Sequence, residues 1–134
     1  MSRVLIVEDV AAMKELLSQV VAGIPGLQVS GKAANGFEAR LELDRRRPDL
    51  MLLDEVLPGE SSLDLLDEAC GRGVRVILLT GMLETGISKP ARLLPPGAFL
   101  RLQKPSWDSL SADRARFSEA IHQVLLEIPI AQRG

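Results

Sequence analysis

The chain has 134 residues, 46% of them apolar and 25% charged, the balance of one globular domain with enough apolar side chains to bury a core. Its net charge is −2 and its basic residues cluster only at Arg45-Arg46-Arg47, which argues against a nucleic-acid surface, since phosphate binding needs clustered Lys and Arg. The single cysteine, Cys70, excludes an intramolecular disulfide, and no apolar run approaches the roughly 20 residues of a membrane-spanning helix.

In chain order, Val4-Leu5-Ile6-Val7 is a continuous apolar run ending in Glu8-Asp9. Met13, Leu16, Leu17, Val20 and Val21 follow at helical spacing, stopped by Gly23, Pro25 and Gly26. Leu27 to Lys32 alternates as a strand. Gly36 to Arg46 reads as a helix with Ala34, Phe37 and Leu41 inward, broken by Pro48. Leu50 to Leu53 is a second continuous apolar run and ends in Asp54. Ser61 to Cys70 reads as a helix with Leu63, Leu66 and Ala69 or Cys70 inward. Val74 to Leu79 is a buried strand ending in Thr80. Glu84 to Leu94 is a weak helix containing Gly86 and Pro90. Phe99 to Leu102 is a fifth strand ending near Lys104-Pro105, and Leu110 to Ile128 is a final helix with Phe117, Ile121, Val124, Leu125 and Ile128 on one face. The start Met-Ser-Arg leads straight into the first strand without a leader pattern, so a cytoplasmic location is expected.

Five β-α units of this kind imply an α/β fold. Continuous apolar strands are buried on both faces, which calls for a parallel sheet between helical layers. Ligands of such sheets sit at the carboxyl ends of the strands, and the polar residues there are Glu8, Asp9, Asp54, Thr80 and Lys104. Three carboxylates at strand ends repel unless a cation lies among them, and an all-oxygen set suits Mg²⁺. With Asp54 as nucleophile, Thr80 as hydroxyl donor and Lys104 as positive charge, the set describes a phosphoryl-transfer site. Any one of these residues alone reads as a turn former, a strand residue or a surface lysine; the weight lies in their sharing one edge.

The segments Val4 to Asp9 (VLIVED), Asp49 to Gly59 (DLMLLDEVLPG), Ile77 to Gly81 (ILLTG) and Gln103 to Pro105 (QKP) resemble the receiver domain of two-component response regulators. The resemblance runs from residue 3 to about residue 126, and makes residues 1–128 the receiver domain and 129–134 a short tail. It implies a flavodoxin-like (βα)5 doubly wound sheet with strand order 2-1-3-4-5. Asp54 becomes the phosphoacceptor, and the Mg²⁺ ligands become Asp9, Glu8, Asp54 and the Val56 backbone carbonyl. Thr80 and Lys104 sense the phosphoryl group, and the Lys104-Pro105 peptide is often cis. The implied partners are a sensor histidine kinase or histidine phosphotransfer protein and a downstream protein effector, with no nucleic acid or membrane bound by this domain. Gly26 to Gly36 (GLQVSGKAANG), Thr80 to Gly97 and Gln103 to Ser106 (QKPS) resemble more narrowly the receiver domain that heads chemotaxis methylesterases. No G-x-S-x-G elbow is present, and His122 is an ordinary helix residue.

Three departures from the family pattern stand out. Arg101 occupies the place of a usual Tyr or Phe; strict strand alternation would put Phe99 on the same side as Arg101, as a substitute ring. Gly86, Pro90, Pro95 and Pro96 break the fourth helix. Val56 and Met82 are apolar and unable to orient an attacking water, so self-dephosphorylation should be slow. Two other functional readings compete: a phosphorylation-independent interaction module, and an Asp-nucleophile phosphatase of the haloacid dehalogenase type. The latter needs an acid two positions after Asp54, where this chain has Val56. The chain also reads as a possible front domain of a longer protein.

Overall fold

The computed structural model describes residues 1–59, 61–81 and 95–126. Its elements are β1 (Ser2–Val7), α1 (Ala11–Ala22), β2 (Leu27–Ala33), α2 (Gly36–Arg46), β3 (Leu50–Asp54), α3 (Ser62–Gly71), β4 (Arg75–Thr80), β5 (Ala98–Gln103), a 3-10 turn (Trp107–Ser109) and α4 (Leu110–Leu125). The five strands are parallel in the order β2-β1-β3-β4-β5, the flavodoxin-like order. The helix expected over 84–94, the role given to Met82, the end of the final helix at Ile128 and the tail from 129 lie outside the described residues.

The apolar runs divide residue by residue between two layers, because strand side chains alternate faces. Val4, Ile6, Leu52, Ile77 and Leu79 pack beneath α1 and α4 against Leu16, Leu17, Val20, Phe117, Ile121 and Val124. Leu5, Val7, Met51, Leu53, Val76 and Leu78 pack beneath α2 and α3 against Ala39, Leu43, Leu65, Leu66 and Ala69. Each such Leu or Ile contributes about 2 kcal/mol through burial, so the central strands β1 and β3 anchor the acid-bearing ends that follow them.

Two helices are rotated from the expected phase. In α2 the inward residues are Gly36, Ala39 and Leu43, Leu41 is half-buried and Phe37 is 70% exposed. The buried stripe thus carries small side chains at 36 and 39, and the Phe37 ring lies on the solvent side of it. In α3 the buried stripe is Ser62, Leu65, Leu66 and Ala69, while Leu63 is exposed and Cys70 half-buried. Ser62 turns inward because its hydroxyl donates to the Asp54 carbonyl oxygen at 2.9 Å, a bond that apolar periodicity does not register.

Both outer strands carry one extra residue. In β2 the register passes from Val4↔Val29 to Leu5↔Gly31, leaving Ser30 between, and the Arg46 guanidinium donates to the Ser30 carbonyl at 2.8 Å. In β5 it passes from Val76↔Ala98 to Ile77↔Leu100, leaving Phe99 between. Such a bulge resets which side each following residue faces. Phe99 therefore packs on the α1–α4 layer, while Arg101, opposite Leu78, faces the α2–α3 layer. The expectation that the two share a side is corrected, and Phe99 does not stand in for the missing ring.

Candidate functional site

The carboxyl ends of β1, β3 and β5 converge on one acidic niche. Glu8 and Asp9 follow β1, Asp54 closes β3, and Lys104 follows β5. One carboxylate oxygen from each of Glu8, Asp9 and Asp54 lies within 4.8 Å of the others. Lys104 Nζ lies 2.7 Å from Glu8 Oε1 and 3.1 Å from Asp54 Oδ2. Thr80 is the last residue of β4, and its carbonyl accepts the Lys104 N–H at 2.9 Å, which ties the end of β5 to β4. Val56 enters through its backbone N–H, which donates to Asp54 Oδ1 at 3.0 Å; its side chain is 75% exposed. Glu8, Asp9, Asp54 and Lys104 are thus brought together as the sequence predicts, with Thr80 at the end of the neighbouring strand. Among the described residues every peptide bond is trans, Lys104–Pro105 included.

Burial sets the electrostatics. Glu8 is 0% and Asp54 4% exposed. Burial pushes the Glu8 carboxyl above its ordinary value, and the Lys104 ammonium and the Val10 N–H (3.1 Å) offset that only in part. Burial works against the Lys104 ammonium too, but its bonds to Glu8 and Asp54 outweigh it and hold its pKa above the usual lysine value. Oxygen-only donors around a buried, net negative pocket suit a hard cation. Glu8 Oε1 meets no polar partner besides the Lys104 ammonium among the described residues, so the residues present fit Mg²⁺.

Sequence reasoning missed three groups. Ser62 holds the Asp54 carbonyl. Glu55, next to Asp54, forms an ion pair with Arg101 Nε; both line a groove of about 460 Å³ with Val56, Leu57, Ser62 and Leu63. Asp113, buried in the first turn of α4, gathers Ser106, Ser109 and Arg116. For Arg101 the signal was its odd position in the family pattern; for Ser62 and Asp113 it was a small polar residue and an acid in the first turns of helices, where N-terminal donors collect.

Comparison with known proteins agrees with this geometry. Residues 4–113 match the response regulator receiver domain. The protein-glutamate methylesterase/protein-glutamine glutaminase of Treponema denticola is 34% identical over 92% of this chain and 34% of its own length. Enzyme 1 of that name from Caulobacter vibrioides is 30% identical over 98% of this chain and 37% of its own. The chain therefore spans about a third of the length of these relatives. Among solved structures, the response regulator domain of Thermotoga maritima CheB superposes with a TM-score of 0.80 at 26% identity, covering 96% of this chain and 99% of that one. A chain from the complex of the CheA3 P1 domain with CheY6 of R. sphaeroides superposes with a TM-score of 0.79 at 25% identity, covering 94% and 98%. With its fold, its strand-end acids and lysine, and a match across most of its length, this chain belongs to the response regulator receiver domain family.

Proposed function

We propose that this domain accepts a phosphoryl group on Asp54 and signals through altered partner binding. The observation that carries the reading is the convergence of Lys104 on Asp54 and Glu8. Glu8, Asp9, Asp54 and the Val56 carbonyl would hold Mg²⁺, which when bound supplies the positive charge that neutralises phosphoryl oxygens. An Asp54 carboxylate oxygen attacks phosphorus, a new P–O bond forms, and the bond from phosphorus to the donor breaks, with the electron pair leaving on the donor. Lys104 then turns from the Asp54 carboxylate to a phosphoryl oxygen, and the Thr80 hydroxyl donates to another.

The donor is a sensor histidine kinase or a histidine phosphotransfer protein. A solved complex of the CheA3 P1 domain with CheY6 is among the similar structures, which supports a donor of that kind. The recipient of the signal is a downstream protein, or a hydrolase domain in a longer chain of the methylesterase type. Incubation with acetyl phosphate and Mg²⁺ should label the protein, and Asp54→Ala or removal of Mg²⁺ should abolish the label. The label should persist for minutes or longer, since Val56 offers no group to orient water; loss within seconds defeats that part.

A second reading, an interaction module independent of phosphorylation, draws on the Glu55–Arg101 ion pair, which replaces the mobile ring of the family with a fixed charge pair. Absence of any label in the same experiment would favour it.

A further inference from the structure

Asp113 lies on α4, outside the acidic niche, and is buried although it bears a charge. Its Oδ2 accepts the Ser106 backbone N–H at 2.8 Å and the Ser109 hydroxyl at 2.7 Å, and its Oδ1 accepts from Arg116 Nη2 at 2.9 Å. Ser106 is two residues beyond Lys104, across the buried Pro105. The segment carrying Lys104 is thus fastened at both ends: to β4 by the Lys104 N–H on the Thr80 carbonyl, and to α4 by the Ser106 N–H on Asp113. Bonds to an ionised acceptor are roughly twice as strong as neutral ones. α4 in turn is seated in the core by Phe117, Ile121 and Val124, so Asp113 ties the loop to a helix packed into the core.

We propose that Asp113 is a positioning residue, fixing the Lys104 ammonium where it meets Asp54 and an incoming phosphoryl group. This rests on the phosphoacceptor reading of Asp54. Without the carboxylate the Ser106 N–H loses its charged acceptor, only the longer Ser109 N–H to Ser106 carbonyl bond (3.2 Å) ties that end of the loop to the start of α4, and the ammonium samples positions away from the reacting oxygen. A displacement near 1 Å is enough to slow a positioned step substantially.

The test compares Asp113→Ala and Asp113→Asn with the wild type in two measurements: the rate of labelling by acetyl phosphate at saturating Mg²⁺, and the Mg²⁺ dissociation constant by calorimetry. Asp113→Ala should label about tenfold more slowly, and Asp113→Asn, which keeps a neutral acceptor oxygen for Ser106, about threefold more slowly. Mg²⁺ should bind as well as before or more tightly, because a displaced ammonium competes less for Glu8 and Asp54. Wild-type rates in the variants overturn the proposal, as does a fall in rate accompanied by weaker Mg²⁺ binding, the mark of general loosening. If Asp113→Ala does not fold, Asp113→Asn decides on the same criteria. A wild type that takes no label defeats the phosphoacceptor reading itself, and this inference falls with it.

Discussion

Lys104 Nζ lies 3.1 Å from Asp54 Oδ2, although fifty residues separate the two in the chain. Parallel order brings them together: β4 alone lies between β3 and β5 in the sheet, and both residues stand at the carboxyl ends of their strands. The ammonium also touches Glu8 at 2.7 Å, so a single cation balances two buried carboxylates.

Removing that cation should expose their repulsion. Lys104→Ala is expected to lower metal-free stability by about 3 kcal/mol, the usual cost of stripping one partner from a buried pair. Saturating Mg²⁺ should restore much of the loss. Urea unfolding with and without Mg²⁺ measures both, and equal losses in the two conditions would contradict the assignment of the acids to a cation.

Glu8 gives a pH effect of one sign. Its folded pKa is raised above the ordinary 4.5, so the folded state binds the extra proton between the two values. Its contribution to stability is present below 4.5 and is lost as pH rises through the higher folded value. Glu8→Gln should flatten that fall, leaving the metal-free protein about 1 kcal/mol more stable at neutral pH. The same variant should bind Mg²⁺ about tenfold more weakly. Denaturation midpoints across pH 4 to 8, beside calorimetric Mg²⁺ titration, check the pair of effects.

Asp113 gives the opposite sign. Burial alone would raise its carboxyl, but Ser109, the Ser106 N–H and Arg116 outweigh this and hold it below the ordinary 3.8. Its stabilisation is therefore complete above 3.8 and lost as pH falls through the lower folded value. The stability gap between wild type and Asp113→Asn should be constant at neutral pH, about 1 kcal/mol, and close on acidification. Urea midpoints from pH 6 down to 2 test it; a gap that widens in acid contradicts the hydrogen-bond assignment.

The Glu55–Arg101 pair, largely shielded at 16% and 21% side-chain exposure, should show coupling. Arg101→Ala is expected to cost about 1 kcal/mol, and much less in a Glu55→Ala background. A double-mutant cycle on thermal or chemical unfolding reads the coupling directly, and additive losses would show that the two side chains act separately.

Much of this was legible in the sequence. Short runs such as Val4–Val7 and Leu50–Leu53, alternating with helical patterns, read as strands buried on both faces, and the acids that end them define one edge of the sheet. The helix faces were less legible. In α3, Leu66 and Ala69 fit either of two stripes, and the choice fell to Ser62 because of one hydroxyl bond to the Asp54 carbonyl. In α2, the expected Phe37 gave way to Gly36 and Ala39, because ranking positions by apolar size overlooks a stripe built from small residues. The side of Phe99 was beyond reach, because counting by twos fails at an inserted residue that only the paired strand reveals.

The inserted residues in the two outer strands have a consequence for solution behaviour. A straight, regularly paired edge is a template on which a further strand can grow, whether from another copy or from an adjoining domain. Here Ser30 interrupts one edge, with its carbonyl already taken by Arg46, and Phe99 interrupts the other. Among the described residues both flanking strands are thus irregular, and an irregular edge is a poorer template for strand addition than a straight one.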